Sequence, residues 1–125
     1  MTTQSALDTA VRETPSLIAS DKVEGTPVYR WNGDKVGTVE RVMIDKISGK
    51  VAYAVMSFGG FMGIGQDYYP LPWNLLTYNP RLEGYEVNIG EEQLKRAPKY
   101  GIYENWDWSA PIRVRSINDY WGALS

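Results

Sequence analysis

The sequence predicts an all-β domain, a small and partly open β-barrel of five to six antiparallel strands with short helical turns and an aromatic C-terminal tail. Three observations lead to this fold class. Apolar and polar residues alternate in several short runs, turn residues separate these runs at intervals of roughly ten residues, and helical periodicity is confined to short segments. The chain has 125 residues, which suits one core and would leave each half of a two-domain protein too small.

The first two strands are predicted on either side of a tight turn. Residues 26–31 form the first β-rich run and residues 36–45 the second, and an Asn-Gly pair between them favours a turn because both residues tolerate positive φ. Apolar alternation in the second run breaks between Val39 and Val42. A β-bulge at residues 40–41 would restore the alternation and bend the sheet.

The third and fourth strands flank a glycine-rich loop. Residues 50–58 (KVAYAVMSF) are apolar on both faces, which is typical of a central strand. Residues 59–65 contain four glycines and must form a loop, because glycine at that density costs too much backbone entropy in a strand or helix. The strand at residues 66–72 carries Pro70 and Pro72, which donate no ladder hydrogen bonds, so it is predicted at an edge of the sheet.

The remaining elements are shorter. We expect a short apolar turn at residues 73–76, a connection at 79–84, a half-exposed strand at 85–89, and a helical stretch at 91–97 that ends at Pro98.

Three segments follow from this pattern: a flexible N-terminal arm at residues 1–16, a barrel domain at 17–97 and an aromatic C-terminal extension at 98–125. The arm is small and polar. The extension holds six of the sixteen aromatic residues, and such residues rarely populate disordered segments, so we expect it to pack on the barrel or on a partner copy. Ser116 resembles the start of a capping box, which predicts a short helical turn ending near Gly122.

Composition excludes several classes of function. The formal net charge is −2, which argues against nonspecific nucleic-acid binding. Cysteine and histidine are both absent, which excludes Ser/His/Asp triads, Cys/His dyads and the usual zinc sites. The sequence shows neither a signal peptide nor a run of apolar residues long enough for a membrane span. We therefore expect a cytoplasmic protein without membrane insertion, with no catalytic residues, no metal and no cofactor.

The residues that might suggest chemistry have simpler interpretations. Gly60, Gly63 and Gly65 are spaced GxxGxG, the reverse of the dinucleotide fingerprint, and no helix start follows them. The carboxylate pairs at 83 with 86 and at 91 with 92 lie in turns or at a predicted helix start, where acidic side chains favour water and the helix dipole. Asp45 is expected to close a turn with a side-chain hydrogen bond.

The order of these elements resembles the PRC-barrel family. Residues 25–76 (GTPVYRWNGDKVGTVERVMIDKISGKVAYAVMSFGGFMGIGQDYYPLPWNLL) carry its sequence of features: Gly37 opening a long second strand, Asp45 closing it, Gly49 in the hairpin turn, an apolar third strand, and Pro72 followed by tryptophan. The resemblance covers roughly residues 17–97. Family members include the H subunit of photosynthetic reaction centres, ribosome-maturation factors and many stand-alone bacterial proteins.

This resemblance implies a PRC-like barrel that acts as an adaptor in protein or ribonucleoprotein assemblies and has no general catalytic activity. The chain looks like the stand-alone bacterial type, with neither the membrane anchor nor the second domain of the better-known relatives. We expect a non-catalytic protein-interaction module whose partner is a protein of unknown identity, and we expect a homo-oligomer.

Two segments are predicted to make the partner contacts: the loop at residues 60–65 and the aromatic extension. The predicted partner-binding residues are their large apolar and aromatic side chains: Phe61, Met62, Ile64, Trp106, Trp108, Tyr120 and Trp121. Such side chains dominate interface energies. In the alternative interpretation, the loop caps its own barrel and the extension packs against it.

Two other functions stay open at this point. An RNA or ribonucleoprotein contact module would require a basic cluster on one face, drawn from Arg30, Lys35, Arg41, Lys46 and Lys50. A metal-dependent or carboxylate enzyme would require a clustered acidic cleft.

Overall fold

The computed structural model describes residues 13–59, 66–101 and 104–124, with side chains as far as residue 122. Its seven strands are β1 (Pro27–Arg30), β2 (Lys35–Ile44), β3 (Val51–Phe58), β4 (Asp67–Pro72), β5 (Thr77–Asn79), β6 (Gly84–Val87) and β7 (Tyr100–Gly101). Its helices are α1 (Ser20–Val23), α2 (Glu91–Lys95), α3 (Pro111–Leu124) and a 3₁₀ turn at Trp73–Leu75. The protein is mostly β, as the sequence predicts.

The strands form a single sheet in the order β5-β6-β1-β2-β3-β4-β7, and over the described residues this sheet is not closed. The prediction of five to six strands was too low. β5 has three residues and β7 has two, and runs this short show no alternation from which a strand can be predicted.

The prediction of an antiparallel sheet was wrong for one pair of strands. β1 and β6 run parallel, with Val28 opposite Tyr85 and Arg30 opposite Val87, whereas every other pair is antiparallel. Alternation along a strand reports which side chains face the core. It carries no information on strand direction, which depends on the course of the connecting segments.

The predicted bulge in β2 is confirmed. Val39 lies opposite Met56 and Arg41 lies opposite Val55, so residue 40 is the extra residue of the bulge. The central position of β3 is also confirmed, because it pairs with β2 on one side and β4 on the other and is buried on both faces from Ala54 to Ser57.

The edge predicted for β4 is found over part of its length. β4 pairs with β3 throughout, but β7 covers only Asp67 and Tyr68 on its outer side. Pro70 and Pro72 therefore lie where the described residues provide no second partner strand, in agreement with their missing N–H groups.

The extension forms a longer helix than the predicted short turn. α3 spans 14 residues and begins at Pro111, a residue favoured at the first helical position. Ser116 lies inside this helix, and its hydroxyl donates to the Arg113 carbonyl oxygen at 2.7 Å, so the predicted capping box was wrong. The start signal lies earlier, where the Asp107 carboxylate accepts the Ser109 N–H at 3.0 Å.

The core continues from the sheet into the extension. α3 packs on β4 and buries Ile117 and Trp121, which are four residues apart and so share one helix face. The Tyr53 hydroxyl of β3 donates to the Asn118 side-chain oxygen at 3.0 Å, and this bond fixes the helix over the middle of the sheet.

Candidate functional site

The structure brings four of the seven predicted partner-binding residues into the described region. Phe61, Met62 and Ile64 lie outside the described residues, so their role stays a prediction. The other four residues belong to the extension and pack against the chain's own core. This is the arrangement that the alternative interpretation describes.

Trp106 and Trp108 belong to a series of ring contacts across the sheet. Trp106 stacks on Tyr100 at 5.3 Å between ring centroids, and Trp108 lies 5.4 Å from Tyr53. The Arg113 guanidinium lies 4.9 Å from the Trp106 ring centroid, a cation–π distance. Trp106 is buried and Trp108 is partly buried, so these rings stabilise the attachment of the extension.

Tyr120 and Trp121 attach α3 to the segment after β6. The Tyr120 hydroxyl donates to the Gln93 carbonyl oxygen of α2. The Trp121 ring lies 4.9 Å from the Tyr120 ring in an edge arrangement and is only 3% exposed. Of the four described residues, Trp121 is the one that also lines a surface cavity.

Two adjoining cavities meet at Trp121. The larger has a volume of about 300 Å³ and is lined by Trp31, Asn74, Leu75, Thr77, Asn88, Ile89, Gln93 and Trp121. The smaller has a volume of about 140 Å³ and is lined by Pro72, Asn74, Leu75, Asn118, Trp121 and Gly122. They share Asn74, Leu75 and Trp121, and we refer to them together as the indole groove.

Trp31 forms the exposed wall of the groove. It follows β1 directly, and the turn after it is rigid because Gly33 has φ of 95° and the Asn32 side-chain oxygen accepts the Asp34 N–H at 3.0 Å. Arg30 Nε donates to the Ile89 carbonyl oxygen at 3.0 Å, which ties the end of β1 to the opposite wall. Trp31 is nevertheless 68% exposed.

The other walls of the groove come from short elements. Pro72 ends β4 and leads into the 3₁₀ turn that places Asn74 and Leu75 at the groove. Asn88 follows β6, and Gln93 lies in α2, where its side-chain oxygen accepts the Gly90 N–H at 2.6 Å. Proline and glycine thus fix the backbone on both sides of the cavity.

Several hydrogen-bonding groups of the groove have no partner within the described part of the chain. The exposed side chains of Asn74 and Asn88 make no hydrogen bond there. The Trp121 Nε1–H is buried and has no acceptor among the described residues. Because a buried polar group without a partner is costly, this indole marks a place where an acceptor from outside the chain would be stabilised.

The groove is electrically neutral. None of its described lining residues carries a charged side chain, although 22% of the residues in the chain are charged. Amide, hydroxyl and indole groups can donate hydrogen bonds to neutral acceptors. They provide neither a general base nor a nucleophile activated by a base.

Sequence reasoning identified Trp121 as a site residue and missed the rest of the groove. Trp31 ends a predicted strand, and its exposure depends on the turn after it. Asn74 and Asn88 look like ordinary turn residues. Their convergence requires the β1–β6 pairing, which the alternation of side chains does not reveal.

A third cavity, of about 320 Å³, lies under the N-terminal segment. It is lined by residues 13–18 together with Trp73, Leu76, Tyr78 and Tyr85. Glu13 accepts the Tyr78 hydroxyl at 2.9 Å and pairs with Lys22 at 3.3 Å. Burial raises the pKa of Tyr78, and the hydrogen bond to Glu13 raises it further, so the hydroxyl stays a donor at neutral pH.

The basic residues considered for RNA contact are spread along the sheet. Arg30 and Lys35 lie at one end of β2, whereas Lys46 and Lys50 flank the turn at its other end. Ten residues of strand separate these ends by about 30 Å.

Two further features concern metals and membranes. In the described residues, no group of three or more carboxylates is placed to hold a metal ion. Along the same part of the chain, no helix has the length and apolar character that crossing a membrane requires.

Comparison with known proteins gives one match. The model of a family described as the PRC-barrel domain matches residues 15–94. No curated protein matches the chain. The matched region contains every described strand except β7, and it ends before the extension that supplies Trp121.

Proposed function

The chain belongs to the PRC-barrel domain family, and on that premise we propose that it is a non-catalytic module that binds a protein partner through the indole groove. Membership of the family suggests a small interaction module. The groove supplies the contact surface for this function.

The observation that carries the proposal is the exposure of Trp31 beside a cavity with unpaired hydrogen-bonding groups. A tryptophan that is 68% exposed leaves a large apolar area in water, and tryptophan is among the residues that contribute most to interfaces when buried. The neighbouring amides of Asn74 and Asn88 provide the polar contacts that orient a partner.

The neutral lining supports binding over catalysis. Acid–base and nucleophilic catalysis depend on titrating groups whose pKa values are tuned by their surroundings. The described lining of the groove offers none of these groups. The protein would therefore hold its partner by burial and hydrogen bonding alone.

Self-association is the second part of the proposal. Trp106 and Trp121 are buried within the chain, so contact between copies would depend on the loop that carries Phe61, Met62 and Ile64. We expect light scattering at increasing concentration to give a mass above that of one chain, and a double Phe61→Ser and Met62→Ser variant to reduce it. A strict monomer at high concentration would remove this part of the proposal.

Affinity capture from native lysate tests the partner contact. We expect Trp31→Ser to lose the protein that the wild-type chain retains, because the main apolar contact is gone. Ile47→Ser is the matched control, since Ile47 is fully exposed at the β2–β3 turn and lies outside the groove. Capture should change little between low and high salt, as the groove is neutral. Equal recovery by Trp31→Ser and wild type would refute the groove as the contact surface.

A further inference from the structure

Resting on the proposed function, we propose that the indole groove takes an uncharged, proline-rich segment of the partner in the polyproline II conformation. The segment's backbone carbonyl groups accept hydrogen bonds from the groove. Its pyrrolidine rings pack on Trp31 and Leu75.

The hydrogen-bonding groups of the groove select a ligand rich in acceptors. The Trp121 indole is a donor only, and its N–H has no acceptor among the described residues. Asn74 and Asn88 add amide donors that are free within the described part of the chain. A polyproline II segment has no internal hydrogen bonds, so its carbonyl oxygens remain available, and each proline contributes an acceptor without a competing N–H.

The apolar part of the groove fits the same ligand. Proline-rich segments dock in aromatic-lined grooves in several unrelated domains, because their conformation is preformed and little entropy is lost on binding. Here Trp31 offers an exposed indole, and Leu75 continues the apolar surface towards Trp121. A cavity of about 300 Å³ is at the small end for ligand sites, which favours a few residues of extended chain over a folded domain.

The charge of the lining distinguishes this ligand from ionic ones. A phosphate, an acidic peptide or a basic peptide would need an opposite charge in the groove to offset its desolvation. The described lining provides none. An uncharged segment has no such requirement.

The test is a titration of the full ¹⁵N-labelled chain, followed through its indole N–H signals. The probe is a synthetic proline-rich peptide of about ten uncharged residues with both ends capped. We expect the Trp31 and Trp121 signals to shift saturably and the Trp106 signal to stay in place. Trp106 is the internal control, because its Nε1–H also has no acceptor among the described residues but it does not line the groove.

Two variants separate binding from folding. Trp121→Phe removes the indole N–H and keeps an aromatic ring, so we expect weaker binding of the peptide with thermal stability retained. Trp31→Ala removes an exposed side chain, and we expect it to weaken binding at least about tenfold, which corresponds to about 1.4 kcal/mol. If both variants fold and bind the peptide as the wild type does, the proposal is wrong.

Control ligands decide the chemical class. A Gly/Ser peptide of equal length should leave the indole signals unshifted, and so should a neutral oligosaccharide. A response to the Gly/Ser peptide equal to that of the proline-rich one, or a response to the oligosaccharide alone, would overturn the assignment of the ligand. Loss of the captured partner in Trp31→Ser, together with no response to the proline-rich peptide, would refute this inference and leave the proposed function standing.

Discussion

At the scale of single residues, the turn between β2 and β3 depends on one carboxylate. The Asp45 side chain accepts the N–H groups of Ile47 at 2.9 Å and Ser48 at 2.8 Å, which is the turn-closing role that the sequence predicts. Gly49 completes the turn with φ of 76°, a conformation that favours glycine. The hydrogen bond from the Ser48 backbone, followed by that from Ile47, holds the pKa of Asp45 below its usual value of 3.8.

The lowered pKa predicts how the stability of an Asp45→Asn variant depends on pH. In the wild type, a carboxylate with a depressed pKa stabilises the fold above its unfolded pKa, and this contribution is lost as the pH falls through the folded pKa. We therefore expect the variant to be less stable than the wild type at neutral pH and to match it in strong acid. Urea unfolding midpoints of both chains across this range test the prediction. A stability difference that does not change with pH would contradict it.

Gly37 marks the closest approach of β2 and β3. A Cβ atom at this position would lie 2.2 Å from the Ser57 carbonyl oxygen, and backbone at that distance cannot move aside cheaply. Gly37→Ala should lower the free energy of unfolding by about 1–3 kcal/mol.

The matched control is Gly122→Ala, because position 122 lies in α3 and a Cβ atom there meets nothing within 4 Å. Alanine in a helix should raise stability by about 0.5–1 kcal/mol. Denaturant unfolding of the two variants measures both effects. Equal effects of the two substitutions would show that the β2–β3 contact is not as tight as described.

At the scale of secondary structure, α3 secures the extension. Ile117 is fully buried on its inner face, and Ile117→Ala should destabilise the chain by about 2–5 kcal/mol through lost burial and the cavity left behind. The exposed Ile112, in the first turn of the same helix, is the control, and its substitution by alanine should have little effect. Thermal unfolding of both variants tests this. Equal stability of Ile117→Ala and wild type would mean that the helix does not pack on the sheet as described.

The elements that could be predicted are those whose signals are local. The β2 bulge, the two-sided burial of β3 and the turn at Asp45 each follow from residues close together in the sequence. The parallel β1–β6 pair could not be predicted, because it joins segments more than fifty residues apart. The length of α3 was missed because Ser116 resembles a helix start, although Pro111 marks the true one.

At the scale of the whole molecule, the candidate site joins two regions that the sequence presents separately. The family match ends at residue 94, but the indole groove takes Trp121 from the extension and Trp31 from the start of the sheet. Aromatic enrichment of the extension indicated that Trp121 mattered. It could not show that this side chain is buried against its own sheet and that the exposed indole beside it belongs to Trp31.

The most direct test of the central claim is site-specific photocrosslinking in native cells. A benzoylphenylalanine placed at position 31 should give a discrete adduct with another protein, because this position is the exposed wall of the groove. The same probe at position 112, where the natural isoleucine is 66% exposed, should give none. Adducts of equal yield and identity from both positions, or no adduct from position 31, would contradict the claim that the indole groove is the contact surface.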